Sequence, residues 1–164
     1  MNLQKLKVFF LSTLLLCALT TSAQESSFNT MVDALISGRV PVLSVEELQT
    51  KPNIILLDTR TKAEYDVSHI KNAVWVGEKN WDLKSLKQNK EQTVVVYCSV
   101  GYRSEKLVKK LLHLNFKKAF NLCGGIFDWV NKGYPVENNR GITSSIHGYD
   151  KSFVRWIEKG VVIF

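Results

Sequence analysis

Three short apolar runs stand out along the chain, each cut off by polar residues: Val40 to Leu43, Ile54-Ile55-Leu56-Leu57 and Val94-Val95-Val96-Tyr97. Runs of this length, rich in β-branched residues, predict strands buried on both faces of a parallel sheet. Ala73 to Val76 and Lys118 to Leu122 complete the predicted strands. Between them the apolar period changes to that of helices. Ser44-Val45-Glu46-Glu47 has the form of a capping box and opens a helix to about Gln49. Thr61 to Asp66, Trp81 to Lys90 and Ile126 to Asn131 are shorter helical stretches. From Arg103 to Asn115 the pattern is clearest: Leu107, Val108, Leu111, Leu112 and Leu114 share one face, while Lys106, Lys109, Lys110 and His113 share the other. Strands alternating with helices imply a right-handed parallel α/β sheet.

The two ends read differently. Lys5 and Lys7 precede an almost wholly apolar Val8 to Leu19, and Thr21-Ser22-Ala23 follows with small residues, which is the layout of a secretory signal peptide. Its apolar core is shorter than the ~20 residues of a membrane span. The expected organisation is a signal peptide over 1–23, a leader and amphipathic helix over 24–39, one α/β domain over 40–136 and an extension over 137–164. Within the extension, Glu137-Asn138-Asn139-Arg140-Gly141 is linker-like, Asp150 caps a helix over Lys151 to Lys159, and Val161 to Phe164 is apolar. That tail is expected to pack on the domain or to dock a protein partner.

Composition is that of an ordinary globular protein. Removing 1–23 takes away two lysines and no acid, so the net charge of +7 becomes +5. A mild positive charge fits a small anionic substrate and equally fits plain solubility. With no basic stripe interleaved with aromatics, nucleic acid is not an expected partner, and no membrane span is expected once 1–23 is gone. The location implied is periplasmic or secreted. Cleavage would also leave two cysteines, Cys98 and Cys123, in an oxidising compartment, where a disulfide is the default.

Cys98 carries the candidate chemistry. It ends a buried run, a glycine follows three residues on, and a helix begins at once. In an open α/β sheet this strand-to-helix turn is where ligands bind. Free backbone N–H groups and the helix dipole favour an anion there, and Arg103 adds a full positive charge. Cysteines in such turns have pKa values well below the ordinary value of about 8.5, which makes the thiolate the resting form.

In order and spacing, these motifs resemble the rhodanese family of sulfurtransferases. The likeness runs through Leu57-Asp58-Thr59-Arg60, Glu64-Tyr65, Ser68-His69-Ile70, then Cys98-Ser99-Val100-Gly101-Tyr102-Arg103-Ser104, and ends with Gly124-Gly125 and Trp129. It implies a rhodanese-like five-stranded parallel sheet flanked by helices on both faces, with the C-terminal segment as an extension. It also implies that Cys98 carries sulfur as a persulfide, with no metal and no cofactor. Four residues separate Cys98 from Arg103, whereas phosphatases and arsenate reductases on similar folds use five. The shorter ring of amides suits one extra sulfur atom in place of a tetrahedral oxyanion.

The activity implied is transfer of sulfane sulfur from a donor such as thiosulfate to a thiol or cyanide. Ser99, Val100, Gly101, Tyr102, Arg103 and Ser104 would form the persulfide loop, with Asp58 and Arg60 in support. Arg103 either neutralises an anionic donor or pairs with a buried acid such as Asp58 to hold the loop. Glu64 is read as scaffold, His69 as a turn residue and Trp129 as core. Cys123, at the end of a neighbouring strand, is a candidate resolving thiol. Two further readings stand beside this one: a non-catalytic sulfur-delivery or binding module, and a thiol redox protein using Cys98 and Cys123.

Overall fold

The computed structural model describes residues 24–81, 83, 86 and 90–164. The segment read as a signal peptide and most of the helix expected over Trp81 to Lys90 lie outside the described residues.

A helix α1 over 24–35 leads in. There follow β1 (Val42–Leu43), α2 (Val45–Thr50), β2 (Ile54–Asp58), α3 (Lys62–Val67), β3 (Val74–Trp75), β4 (Thr93–Tyr97), α4 (Tyr102–His113), β5 (Ala119–Leu122) and α5 (Gly125–Asn131). Strands β1 to β5 form a single sheet in the order β1-β5-β4-β2-β3, and every pairing in it is parallel.

Alternation along β4 explains why the sheet is covered on both sides. Val95 and Tyr97 face a core that also holds Phe28 and Val32 of α1, Val45 and Leu48 of α2, and Ile126, Phe127, Trp129 and Val130 of α5. Val94 and Val96 face the opposite core, filled by Leu107, Val108 and Leu111 of α4 with Phe116. The three valines are wholly buried, each contributing roughly 1.5–3 kcal/mol. The apolar face read from the sequence for α4 is the face it buries, apart from Leu114, which is 43% exposed.

Two short helices start as their capping boxes dictate. Ser44 accepts the Glu47 N–H while the Glu47 side chain accepts the Ser44 N–H, and Thr61 and Glu64 do the same for α3. The second box matters for the site, because it turns Glu64 inward, where the residue is 2% exposed.

Beyond α5 the structure departs from expectation. Residues 137–141 are not a linker: β6 (Val136–Asn138) and β7 (Gly141–Thr143) pair as an antiparallel hairpin. Asn138 Oδ1 accepts the Arg140 N–H across the turn, and Gly141 takes φ +112°, a left-handed conformation open to glycine. The hairpin is stitched to the domain, since His69 and Glu137 exchange backbone hydrogen bonds of 2.8 and 2.9 Å. The expected helix over Lys151 to Lys159 is instead a 3-10 helix over Lys151–Trp156, capped by Asp150, with none of its residues fully buried. An α-helix this short needs a buried face to repay its nucleation. Strand β8 (Ser145–His147) runs parallel to β9 (Val161–Ile163). Ile146 is fully buried, and Phe153, Trp156, Ile157 and Val162 pack against the core beside α1 and α5. The tail therefore lies on the domain.

Candidate active site

The parallel register decides where the site lies. Leu57 is paired with Val96 and Asp58 with Tyr97, and Val96 with Asn121. The residues after β2, β4 and β5 thus leave the sheet at one edge, its carboxyl end, where open α/β sheets bind ligands. Cys98 is the first residue past β4.

Its loop is compact. Gly101, with φ +107°, closes the turn and serves as the N-cap of α4. Its N–H donates to Cys98 Sγ at 3.2 Å. Ser104 Oγ lies 3.6 Å from the same sulfur, 2.7 Å from Asn121 Oδ1 and 3.1 Å from the Gly101 carbonyl, so its one proton can serve any of three acceptors. Asn121 Nδ2 donates to the Gly101 carbonyl at 3.0 Å. The ring of amides expected around the thiol is thus one amide and one hydroxyl at the sulfur itself. Cys98 is 1% exposed yet lines a cavity of ≈ 190 Å³ together with Leu35, Ser99, Val100, Tyr102, Arg103, Tyr149 and Phe153.

Arg103 is held by Glu64, and this corrects the pairing with Asp58 raised from the sequence. Its two terminal nitrogens donate to the two Glu64 oxygens at 2.8 and 2.6 Å, and Nη2 also donates to Ser99 Oγ at 2.9 Å. Ser99 in turn donates to Glu64 Oε1 at 3.0 Å. Asp58 is spent on Arg60, two residues along, whose Nη2 approaches it at 2.7 Å with both side chains fully buried. Arg60 also donates to the Ser68 carbonyl at 2.6 Å. The two acids swap the expected roles because the α3 capping box aims Glu64 at the loop, while Asp58 sits beside the nearest guanidinium.

The electrostatics follow from these pairs. Burial alone would raise the Glu64 carboxyl, but the Arg103 hydrogen bonds and charge, with the Thr61 N–H and hydroxyl, outweigh it and hold the value at about 2. Burial acts to lower Arg103, and the Glu64 hydrogen bonds, the negative charge of Cys98 and the Glu64 and Glu78 carboxylates overcome it, so its pKa is raised.

Of the other residues read as site or support, His69 stacks on Tyr65 at 4.0 Å with Nδ1 3.1 Å from the Tyr65 carbonyl, and it does not line the cavity. Trp129 is core, its indole N–H donating to the Pro135 carbonyl at 2.9 Å. Cys98 and Cys123 are both free thiols. Cys123 packs against the core, and burial, then the Asp128 and Asp33 carboxylates, push its pKa up, which disfavours the thiolate. Among the described residues no cluster of His, Cys, Asp and Glu is placed to hold a metal. Sequence reasoning missed Asn121, although a fully buried amide inside Ala119-Phe120-Asn121-Leu122 was a visible signal. It also missed Leu35, Tyr149 and Phe153, for which no local signal exists.

The loop leans on its neighbour as well. Cys98 and Ser99 carbonyls accept the Ile126 and Phe127 N–H groups at 3.0 and 3.1 Å. A Cβ at Gly125 would stand 2.4 Å from the Cys98 carbonyl oxygen, and Gly125 has φ +56°. Gly125→Ala is expected to cost about 2 kcal/mol or more in a denaturant melt by displacing the Cys98 carbonyl or the α5 start.

Comparison with known proteins agrees with this geometry. A model of the rhodanese-like domain matches residues 42–132. The chain belongs to the rhodanese-like family of sulfurtransferases. Among solved structures, this rhodanese-like chain is similar to the polysulfide-sulfur transferase homodimer of Wolinella succinogenes, with 26% identity, a TM-score of 0.52, and 70% of this chain and 90% of that one covered. The thiosulfate sulfurtransferase of Pseudomonas aeruginosa shares the fold at 22% identity and a TM-score of 0.57, covering 68% of this chain and 23% of that one. Among curated relatives, the tRNA uridine(34) hydroxylases of Hamiltonella defensa and Photorhabdus laumondii are 36% and 31% identical over 92 and 102 residues, or 52% and 56% of this chain. The chain spans only 26% and 29% of the length of those two relatives, and what their name says of tRNA stays with them.

Proposed function

We propose that this chain moves sulfane sulfur from a donor to a thiophilic acceptor through a persulfide on Cys98. The observation that carries the reading is the seat of Cys98: a buried sulfur touched by the Gly101 N–H, beside an ion-paired Arg103, open to a cavity. In the first step the Cys98 thiolate attacks the outer sulfur of the donor. An S–S bond forms on Cys98, the donor's S–S bond breaks, and its remainder leaves with the electron pair, as sulfite where thiosulfate is the donor. In the second step a thiolate or cyanide takes the outer sulfur and Cys98 thiolate returns. The raised Cys123 thiol weighs against a Cys98–Cys123 redox pair.

Intact mass after incubation with thiosulfate, polysulfide and cysteine persulfide tests the reading. A gain of one sulfur, removed by cyanide, is expected; no adduct from any of the three sinks it. We also propose export, on the pattern of the first 23 residues. Protein recovered from cells should begin at Gln24, and a cytoplasmic protein retaining residues 1–23 overturns this.

A further inference from the structure

The roof of the Cys98 cavity comes from outside the segment that matches the family, which ends at residue 132. Leu35, the last residue of α1, lies before that segment, and Tyr149 and Phe153 of the C-terminal extension lie after it; all three line the cavity with the loop. These roofing groups are anchored. The Ser37 N–H donates to the buried Glu105 of α4 at 2.8 Å, fixing the end of α1. The Tyr149 N–H donates to His147 Nδ1 at 3.0 Å, and the Tyr149 and Phe153 rings meet edge to face at 5.2 Å.

Arg103 is the one cation among the lining residues, and it is already engaged. Glu64 and Ser99 take its donors, the Tyr149 ring lies 4.7 Å from the guanidinium carbon, and Glu78 stands 3.7 Å away. One positive charge therefore faces two carboxylates. Among the described residues that line the cavity, a donor with an anionic body, such as the sulfonate end of thiosulfate, finds no cation other than this already neutralised one. Of the remaining walls, Leu35, Val100, Tyr102, Tyr149 and Phe153 are apolar or aromatic, and the Ser99 hydroxyl is taken up by Glu64 and Arg103. An apolar cavity of about 150 Å³ holds a benzene ring, so ≈ 190 Å³ accommodates an aryl or short alkyl group next to the sulfur.

Resting on the sulfur-transfer reading, we infer that this cavity selects organic persulfides R–S–SH whose R group is uncharged and apolar, and that Tyr149 and Phe153 set that preference. Cys98 thiolate attacks the outer sulfur, the R–S–S bond breaks, Cys98–S–SH forms, and R–S⁻ leaves and takes a proton from water. The same pocket then takes an apolar thiol as acceptor by the reverse step. This preference runs against the small anionic donor suggested by net charge, because the local charge at the cavity, and not the total, meets the substrate.

Benzyl hydropersulfide and its 4-carboxybenzyl analogue, each released from an acylated precursor, differ in body charge and hardly in leaving-group chemistry. Initial rates of sulfur uptake by the protein as recovered from cells, read by intact mass, should favour the benzyl compound by roughly tenfold. Tyr149→Ala with Phe153→Ala should bring the ratio close to one by slowing the benzyl compound. Glu78→Gln should shrink it by speeding the carboxylate. Equal or reversed rates in the unsubstituted protein overturn the inference while leaving sulfur transfer standing, as does a double variant with an unchanged ratio. Uptake from neither compound, nor from thiosulfate or polysulfide, overturns both. The main comparison needs no variant; should the double variant fail to melt cooperatively, Phe153→Leu replaces it, and its ratio is expected to fall.

Discussion

Cys98→Ser protein is expected to take up no sulfur from any donor and to lose at least about a thousandfold in turnover, because a serine hydroxyl cannot carry a sulfane sulfur at neutral pH. The same protein should fold. Serine is smaller by a fraction of an ångström in bond length, and the Gly101 N–H and Ser104 hydroxyl that reach the sulfur can hydrogen-bond an oxygen equally well. A far-ultraviolet spectrum matching that of the parent, with a melting temperature within a few degrees, separates loss of chemistry from loss of structure. Persistent uptake of one sulfur by Cys98→Ser would place the acceptor sulfur elsewhere, and Cys123 would be the residue to test next.

The second large effect concerns Glu64. Glu64→Gln removes the carboxylate that takes two hydrogen bonds from Arg103 and leaves this buried arginine with the neutral Ser99 hydroxyl and, as its one remaining carboxylate among the described residues, the more distant, partly exposed Glu78. Breaking one side of a buried pair costs about 3–5 kcal/mol, and the loop tethered through Ser99 should lose its shape with it. The pH dependence gives an independent reading. The native carboxyl titrates at about 2, below its ordinary 4.5. Its stabilisation is therefore complete above about pH 5, fades as pH falls from 4.5 towards 2, and is gone below that. A depression of this size corresponds to about 3 kcal/mol. Denaturant melts should show the parent protein losing that much more stability than Glu64→Gln between pH 5 and pH 2; parallel curves for the two proteins would refute the assignment.

Much of the frame was legible because the information is local. Thr93 to Tyr97, Ile54 to Asp58 and the Ser44 capping box are where their patterns put them, since strand burial and helix starts depend on residues a few positions apart. The loop around Cys98 was legible for the same reason: strand, glycine and helix follow one another within a few residues. Charge pairing was not legible. From Asp58, Arg60, Glu64 and Arg103 the sequence offers two acids and two arginines and no means of matching them, and Asp58, named as an example of a buried acid for Arg103, is not its partner. The extension misled for another reason. Its polar turn residues suit a hairpin as well as a linker, and nothing local says that His69 will pair with Glu137, 68 positions away.

By itself the amino-acid sequence determined a parallel α/β sheet, a cysteine at the carboxyl edge of its buried strand β4, and a loop of four residues from that cysteine to Arg103. Each of these is a matter of period, order and spacing. Only the tertiary structure decided that Glu64 neutralises Arg103, that Asn121 braces the Gly101 turn, and that Tyr149, Phe153 and Leu35 close over the sulfur. Those contacts join residues separated by 20 to 63 positions, and a chain can bring such residues together only by paying loop entropy that the packed core repays.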